Sequence, residues 1–110
     1  MNLDVEARDD TTAVLLPAGR LNLVSSPRLR AAVGDAVESG RTLVIVDLSG
    51  VDFIDSSGLG ALVAGLKTAR TAGGDLRLAA APQQVLSVLR LTNLDRVLKV
   101  HESVDAASDA

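Results

Sequence analysis

Leu43-Val-Ile-Val-Asp-Leu-Ser-Gly-Val-Asp-Phe-Ile-Asp-Ser-Ser-Gly-Leu-Gly60 decides the fold. Within the strand expected from Leu43 to Leu48, Leu43-Val-Ile-Val46 is a continuous apolar run between turn signals, the pattern of a parallel strand covered on both faces. A short turn then presents Asp55, Ser56 and Ser57, and a helix is predicted from about Ser57 to Thr71, where Ala72-Gly-Gly74 stops it. A strand feeding a helix through a turn is the unit from which α/β sheets are built. The turn also carries chemistry. Free backbone N–H groups and the helix dipole favour negative charge at such an N-terminus, so a phosphate on either hydroxyl would be well accommodated.

Read by angle, Leu59, Leu62, Val63, Leu66 and Arg70 share one stripe of that helix, the spacing of a core-facing side. The opposite side holds Gly60, Ala61, Ala64, Gly65 and Thr68, with Lys67 as the only nearby charge. A solvated helix face normally carries several charges, and two internal glycines each cost roughly 1 kcal/mol of helix propensity relative to alanine. The smooth side suits either close packing within the protein or a flat dock for a partner. The exposed turn beside it favours the dock.

Working outward, Leu3, Val5 and Ala7 alternate with polar residues, and Asp9-Asp10 turns the chain into a second strand at Ala13 to Leu16, giving an antiparallel hairpin at a sheet edge. Pro17 and Gly19 end or bulge that strand. Ser26-Pro27 starts a helix with Ser26 as its cap; Leu29, Val33, Ala36 and Val37 face inward, and Gly40 closes it. Leu76 to Ala80 is the next strand. A helix from Pro82 follows, with Val85, Val88 and Leu89 inward and Asn93 as its cap, then a short strand at Val97 to Val100 and a helical turn at Ser103 to Ala107. The reading is an α/β single domain over residues 1–110: a mixed, mostly parallel sheet of four to five strands with three to four helices.

Composition removes whole classes of function. The net charge is −3 and Phe53 is the only aromatic residue, so neither a basic surface nor a stacking platform for nucleic acid is available. Without cysteine there is no disulfide framework, thiol nucleophile or thiolate metal site. Met1 to Asp10 is polar and acidic, and no apolar run matches a bilayer span; a cytoplasmic protein without membrane partners is expected.

Catalysis is disfavoured as well. His101, the single histidine, follows the last strand, whereas the serines follow a central one, and Asp-Ser-Ser-Gly lacks the Gly-x-Ser-x-Gly elbow of hydrolases. Asp47, Asp52 and Asp55 have neither histidine partners nor calcium-loop spacing, and Asp52 reads as a turn former or cap. Gly58-Leu-Gly60 is followed by none of the residues of a nucleotide-binding loop. No catalytic, metal or cofactor site is expected. For Asp55-Ser56-Ser57 the local features leave two readings open, a helix cap and a modification site.

At these residues the sequence resembles the STAS domain, specifically the bacterial anti-sigma-factor antagonists, whose hallmark is a strand followed by Asp-Ser-Ser/Thr-Gly-Leu-Gly opening a helix. The similarity spans nearly the whole chain, including Gly19-Arg-Leu-Asn22 before the first helix and Leu91-Thr-Asn-Leu94 after the third. The resemblance implies that Ser56 accepts a phosphoryl group from an anti-sigma factor that is itself an ATP-binding serine kinase. It implies further that unphosphorylated antagonist binds this kinase and frees the sigma factor, and that a serine phosphatase resets the switch. With the smooth side of the helix read above, the expected partner surface comprises Asn22, Asp55, Ser56, Ser57, Gly58, Gly60, Ala61, Ala64 and Gly65. Where many relatives have Gly-Glu-Leu-Asp, this chain has Arg20 and Asn22, which drops one acidic charge and reverses another. The rival within the same fold is a STAS module that is never phosphorylated, acting as a scaffold or beside a lipid transporter.

Overall fold

The computed structural model describes residues 1–110. Its organising element is β2 (Thr12–Leu21), ten residues long and flanked on both sides. Along one side runs β1 (Asn2–Ala7), antiparallel, from Asn2 opposite Ala18 to Ala7 opposite Ala13. Along the other, two strands share β2 end to end. β3 (Leu43–Asp47) pairs in parallel with Thr12 to Leu15, and β4 (Gly50–Ile54) pairs in parallel with Ala18 to Leu21. Pro17, which has no N–H to give a ladder, falls between the two partners.

The sheet order is β1-β2-β3-β5-β6, with β4 on β2, where β5 is Asp75–Ala79 and β6 is Val100–His101. Only β1 is antiparallel. The α/β class and the mixed, mostly parallel sheet match the sequence reading. The strand count does not: there are six strands, because Gly50–Ile54 is a strand of its own and not a turn. Asp52 therefore lies within β4, exposed, and not in a turn or cap. The register slips by one residue between Gly19 and Arg20, which pair with Val51 and Phe53, leaving Asp52 without a partner. Gly19, at φ +98°, supplies the backbone conformation for this irregularity.

α1 (Ser26–Glu38) starts one residue earlier than Ser26 capping would require. Ser25 holds the cap position, and its hydroxyl accepts from the Asn22 N–H (2.9 Å) and donates to the Arg20 carbonyl (2.7 Å). Gly40 ends α1 as expected: at φ +93° it lets the N–H groups of Gly40 and Arg41 reach the carbonyls of Val37 and Ala36. α2 (Ser56–Thr71) and α3 (Gln83–Leu91) follow, then a 3-10 turn at Leu94–Arg96 that begins from left-handed Asn93, and finally α4 (Val104–Asp109).

Strand side chains alternate between two cores of unequal size. Val44, Val46, Leu76, Leu78, Ala13 and Leu15 face the larger, which α1, α2 and α3 cover with Leu29, Val33, Leu62, Leu66, Val85 and Leu89. On the other face Val14, Ile45 and Ala79 form a small cluster with Ala107, against which Leu16, Leu43 and Val104 pack; Ala107 and Val104 come from α4. None of the four helices is long and apolar enough to cross a membrane.

Candidate functional site

β2 and β4 run in parallel and end together at Leu21 and Ile54, so the segments that follow them emerge at one edge of the sheet. After β4, Asp55 adopts an extended backbone and caps α2: its Oδ1 accepts from the Gly58 N–H at 3.0 Å. Ser56 is the first helical residue. It is exposed, and because Asp55 supplies the cap, its hydroxyl is left without a hydrogen bond in the chain. Ser57 is half-buried. Gly58 is fixed by contact, since a Cβ there would stand 2.4 Å from the Leu21 carbonyl oxygen. That close approach of backbones locks the turn against the end of β2.

After β2, Asn22 organises its own loop. Its Oδ1 accepts from the N–H groups of Val24 (3.1 Å) and Ser25 (3.2 Å), and its carbonyl accepts from Ser26 N–H at 2.8 Å. The side chain thus holds a turn in place and does not point freely at a partner. Within the loop so closed, Leu23 and Val24 are 71% and 86% exposed. Sequence reading passed over these two residues. The signal was present, in two consecutive large aliphatics between a strand and a proline-led helix, outside any buried stripe. Phe53 is also 39% exposed, and the Arg20 guanidinium lies 4.6 Å from its ring centroid, a cation–π contact that ties Arg20 to β4.

The smooth side of α2 divides. Ala61 and Gly65 are buried, and so is Gly58, so these three do not present surface to a partner as expected. Gly65 is small because the structure is tight around it: a Cβ would meet Leu76 Cδ1 at 2.8 Å and Val33 Cγ2 at 3.2 Å. Arg70, placed on the buried stripe by periodicity, is instead exposed and faces Asp75 at 3.5 Å. What remains open is the stripe Ser56, Gly60, Val63, Ala64 and Lys67. With Leu59 below and Leu94 opposite, it forms a shallow, mostly apolar groove of about 430 Å³. The structure therefore brings Ser56, Gly60 and Ala64 into one surface and takes Gly58, Ala61 and Gly65 out of it.

Hydrolytic geometry is not assembled here. His101 lies on β6, and β3 and β5 separate that strand from β2. No group of three or more His, Cys, Asp or Glu side chains is placed to hold a metal ion.

Comparison with known proteins fits this architecture. The family model described as "STAS domain" matches residues 2–107. The chain belongs to the STAS domain family. A putative anti-sigma factor antagonist of Thermotoga maritima is 33% identical over 101 residues, covering 91% of this chain and 89% of the relative. The anti-sigma-B factor antagonist of Bacillus subtilis is 29% identical over 100 residues, covering 91% and 90%. Among solved structures, the crystal structure of a putative anti-sigma factor antagonist from Thermotoga maritima superposes with a TM-score of 0.88 at 31% identity, covering 97% of this chain and 92% of that one. In this STAS domain, the Asp55-Ser56-Ser57 turn lies beside the Asn22–Ser25 loop at the shared end of β2 and β4.

Proposed function

We propose that this STAS domain is an anti-sigma-factor antagonist switched by phosphorylation of Ser56. The observation that carries the reading is the division of labour at the start of α2: Asp55 caps the helix, and the Ser56 hydroxyl stands exposed and unbonded beside it. The names of the similar proteins support the antagonist part of this reading. In the unphosphorylated state the domain binds an anti-sigma factor through the exposed stripe of α2, with Leu23 and Val24 as apolar contacts alongside. That partner is an ATP-binding serine kinase; it moves the γ-phosphoryl group of ATP onto Ser56 Oγ and releases ADP. The added charge of about −1.5 to −2 sits at a helix N-terminus, so the domain stays folded. The complex is what suffers, because burying that charge against an apolar partner surface costs several kcal/mol, and each 1.4 kcal/mol is tenfold in affinity. A serine phosphatase restores the binding form. Incubation with ATP and candidate anti-sigma kinases, followed by intact-mass measurement and peptide mapping, tests the proposal. One phosphate on Ser56 is expected, with none on Ser56→Ala. Ser56→Asp is expected to fold normally but to bind the kinase at least about a hundredfold more weakly. Phosphate on another residue, or undiminished binding by Ser56→Asp, would sink it.

A further inference from the structure

We infer that Arg30 is the intramolecular partner of a phosphoryl group on Ser56; the inference rests on Ser56 being the phosphoacceptor. α1 and α2 touch in step, Arg30 beside Gly60 and Val33 beside Gly65. Nη2 of Arg30 lies 3.5 Å from the position a Cβ on Gly60 would take. Ser56 precedes Gly60 by four residues, which places both on one face of the helix with Cβ positions about 5–6 Å apart. The guanidinium is therefore within about 10 Å of the Ser56 Cβ. A phosphoseryl group reaching from one side and an exposed, flexible arginine from the other close that gap.

Two further features favour the pairing. Helical side chains lean toward the N-terminus, so any side chain at position 60 would stand between Arg30 and Ser56; glycine leaves that path open. Arg30 is also uncommitted, because the three ion pairs of the protein are Arg8–Asp105, Arg70–Asp75 and Arg77–Asp75. The other cation of the stripe, Lys67, is eleven residues beyond Ser56, about 16 Å along the helix axis. Asp55, next to Ser56, repels a phosphate, and a guanidinium fork binding two phosphate oxygens offsets that repulsion. The pairing draws the phosphoryl group over the α1 side of the groove and holds it in its dianionic form.

The test places phosphoserine at position 56 during translation, so that no kinase is needed, and follows its phosphorus-31 resonance against pH at low salt. A nearby cation favours the dianion, so losing it raises the titration midpoint. Arg30→Gln is expected to raise the midpoint by about 0.2–0.7 pH unit, the range set by a solvent-exposed ion pair. Lys67→Gln removes the same charge from the same stripe and is expected to move it by less than a third as much, while Arg30→Lys retains most of the wild-type shift. An unmoved midpoint in Arg30→Gln, or equal shifts for Arg30→Gln and Lys67→Gln, overturns the inference even if kinases phosphorylate Ser56. Failure of kinases to modify Ser56 while the midpoint responds to Arg30 counts against the proposed function and not against the pairing.

Discussion

Gly58 and Gly60 are two residues apart and are glycine for different reasons. At Gly58 a Cβ would collide with the Leu21 carbonyl oxygen at 2.4 Å and with Ile54 Cγ1 and Leu21 Cγ at 2.9 Å. Backbone cannot yield as a side-chain end can, so Gly58→Ala must displace the start of α2. A loss of about 2–3 kcal/mol is expected in urea denaturation. At Gly60 the only neighbour is Arg30 Nη2 at an ordinary 3.5 Å, so Gly60→Ala is expected to stabilise the protein by up to about 1 kcal/mol through helix propensity. The opposite ranking of the two variants would contradict this account of the turn. Ala80 is a third case. It holds φ +54° at the end of β5, a left-handed conformation that costs a residue with a Cβ about 1–2 kcal/mol. Ala80→Gly relieves that strain, and after the extra entropy of an unfolded glycine a net gain of up to about 1 kcal/mol is expected in the same assay. Nothing in a strand-ending Ala-Ala-Ala run signals a left-handed residue, whereas Gly40 after an amphipathic helix does.

Legibility of the elements followed how local their causes are. The strand from Leu43 and the helix α2 are written in neighbouring residues, and the sequence shows them; that a cap falls among Asp55, Ser56 and Ser57 is legible too, but its assignment to Asp55 comes from the structure. β4 is not written locally. It is five residues long, is separated from β3 by only two residues and takes its stability from β2, some thirty residues upstream. The smooth side of α2 misled for a different reason: small residues mark both an open surface and a tight contact, and periodicity cannot separate them. Gly60 and Ala64 lie at the open groove, whereas Ala61 and Gly65 face the interior. Gly65→Ala is accordingly expected to cost about 1–3 kcal/mol by pushing α2 off Val33 and Leu76. Pairing it with Val33→Ala should recover part of the loss, and a double-mutant cycle that shows strict additivity would rule out the contact as the cause. The cap is separable from the proposed switch. Asp55→Ala should lower stability by about 1 kcal/mol and Asp55→Asn by much less, since either side-chain oxygen can accept from Gly58 N–H.

Across the whole molecule, the two faces of the sheet are unequally protected, and the proposed partner surface is on the better-covered one. Three helices close the face that carries α2, while Val14, Ile45 and Ala79 on the other are closed by the six residues of α4. α4 is held by Ala107 in the small core, by Arg77 Nη1 donating to the Ala107 carbonyl at 2.8 Å, and by the exposed Arg8–Asp105 pair. An exposed ion pair adds little, so the apolar contact and the Arg77 hydrogen bond must carry the attachment. Removing residues 103–110 would then uncover a continuous aliphatic patch without touching the Ser56 turn. The truncated chain is expected to lose about 2–4 kcal/mol in urea denaturation and to self-associate in sedimentation at micromolar concentration; on the proposed function it should also accept phosphate at Ser56 as the full-length chain does. Ala107→Asp tests the same contact within the full-length chain, because it buries an unpaired carboxylate against Ile45 and Ala79, and it should be as destabilising as the truncation. A truncated domain that remained monomeric and equally stable would mean that the second face needs no cover. Loss of phosphorylation in a truncated domain that is still folded would mean that the two faces are coupled through the sheet.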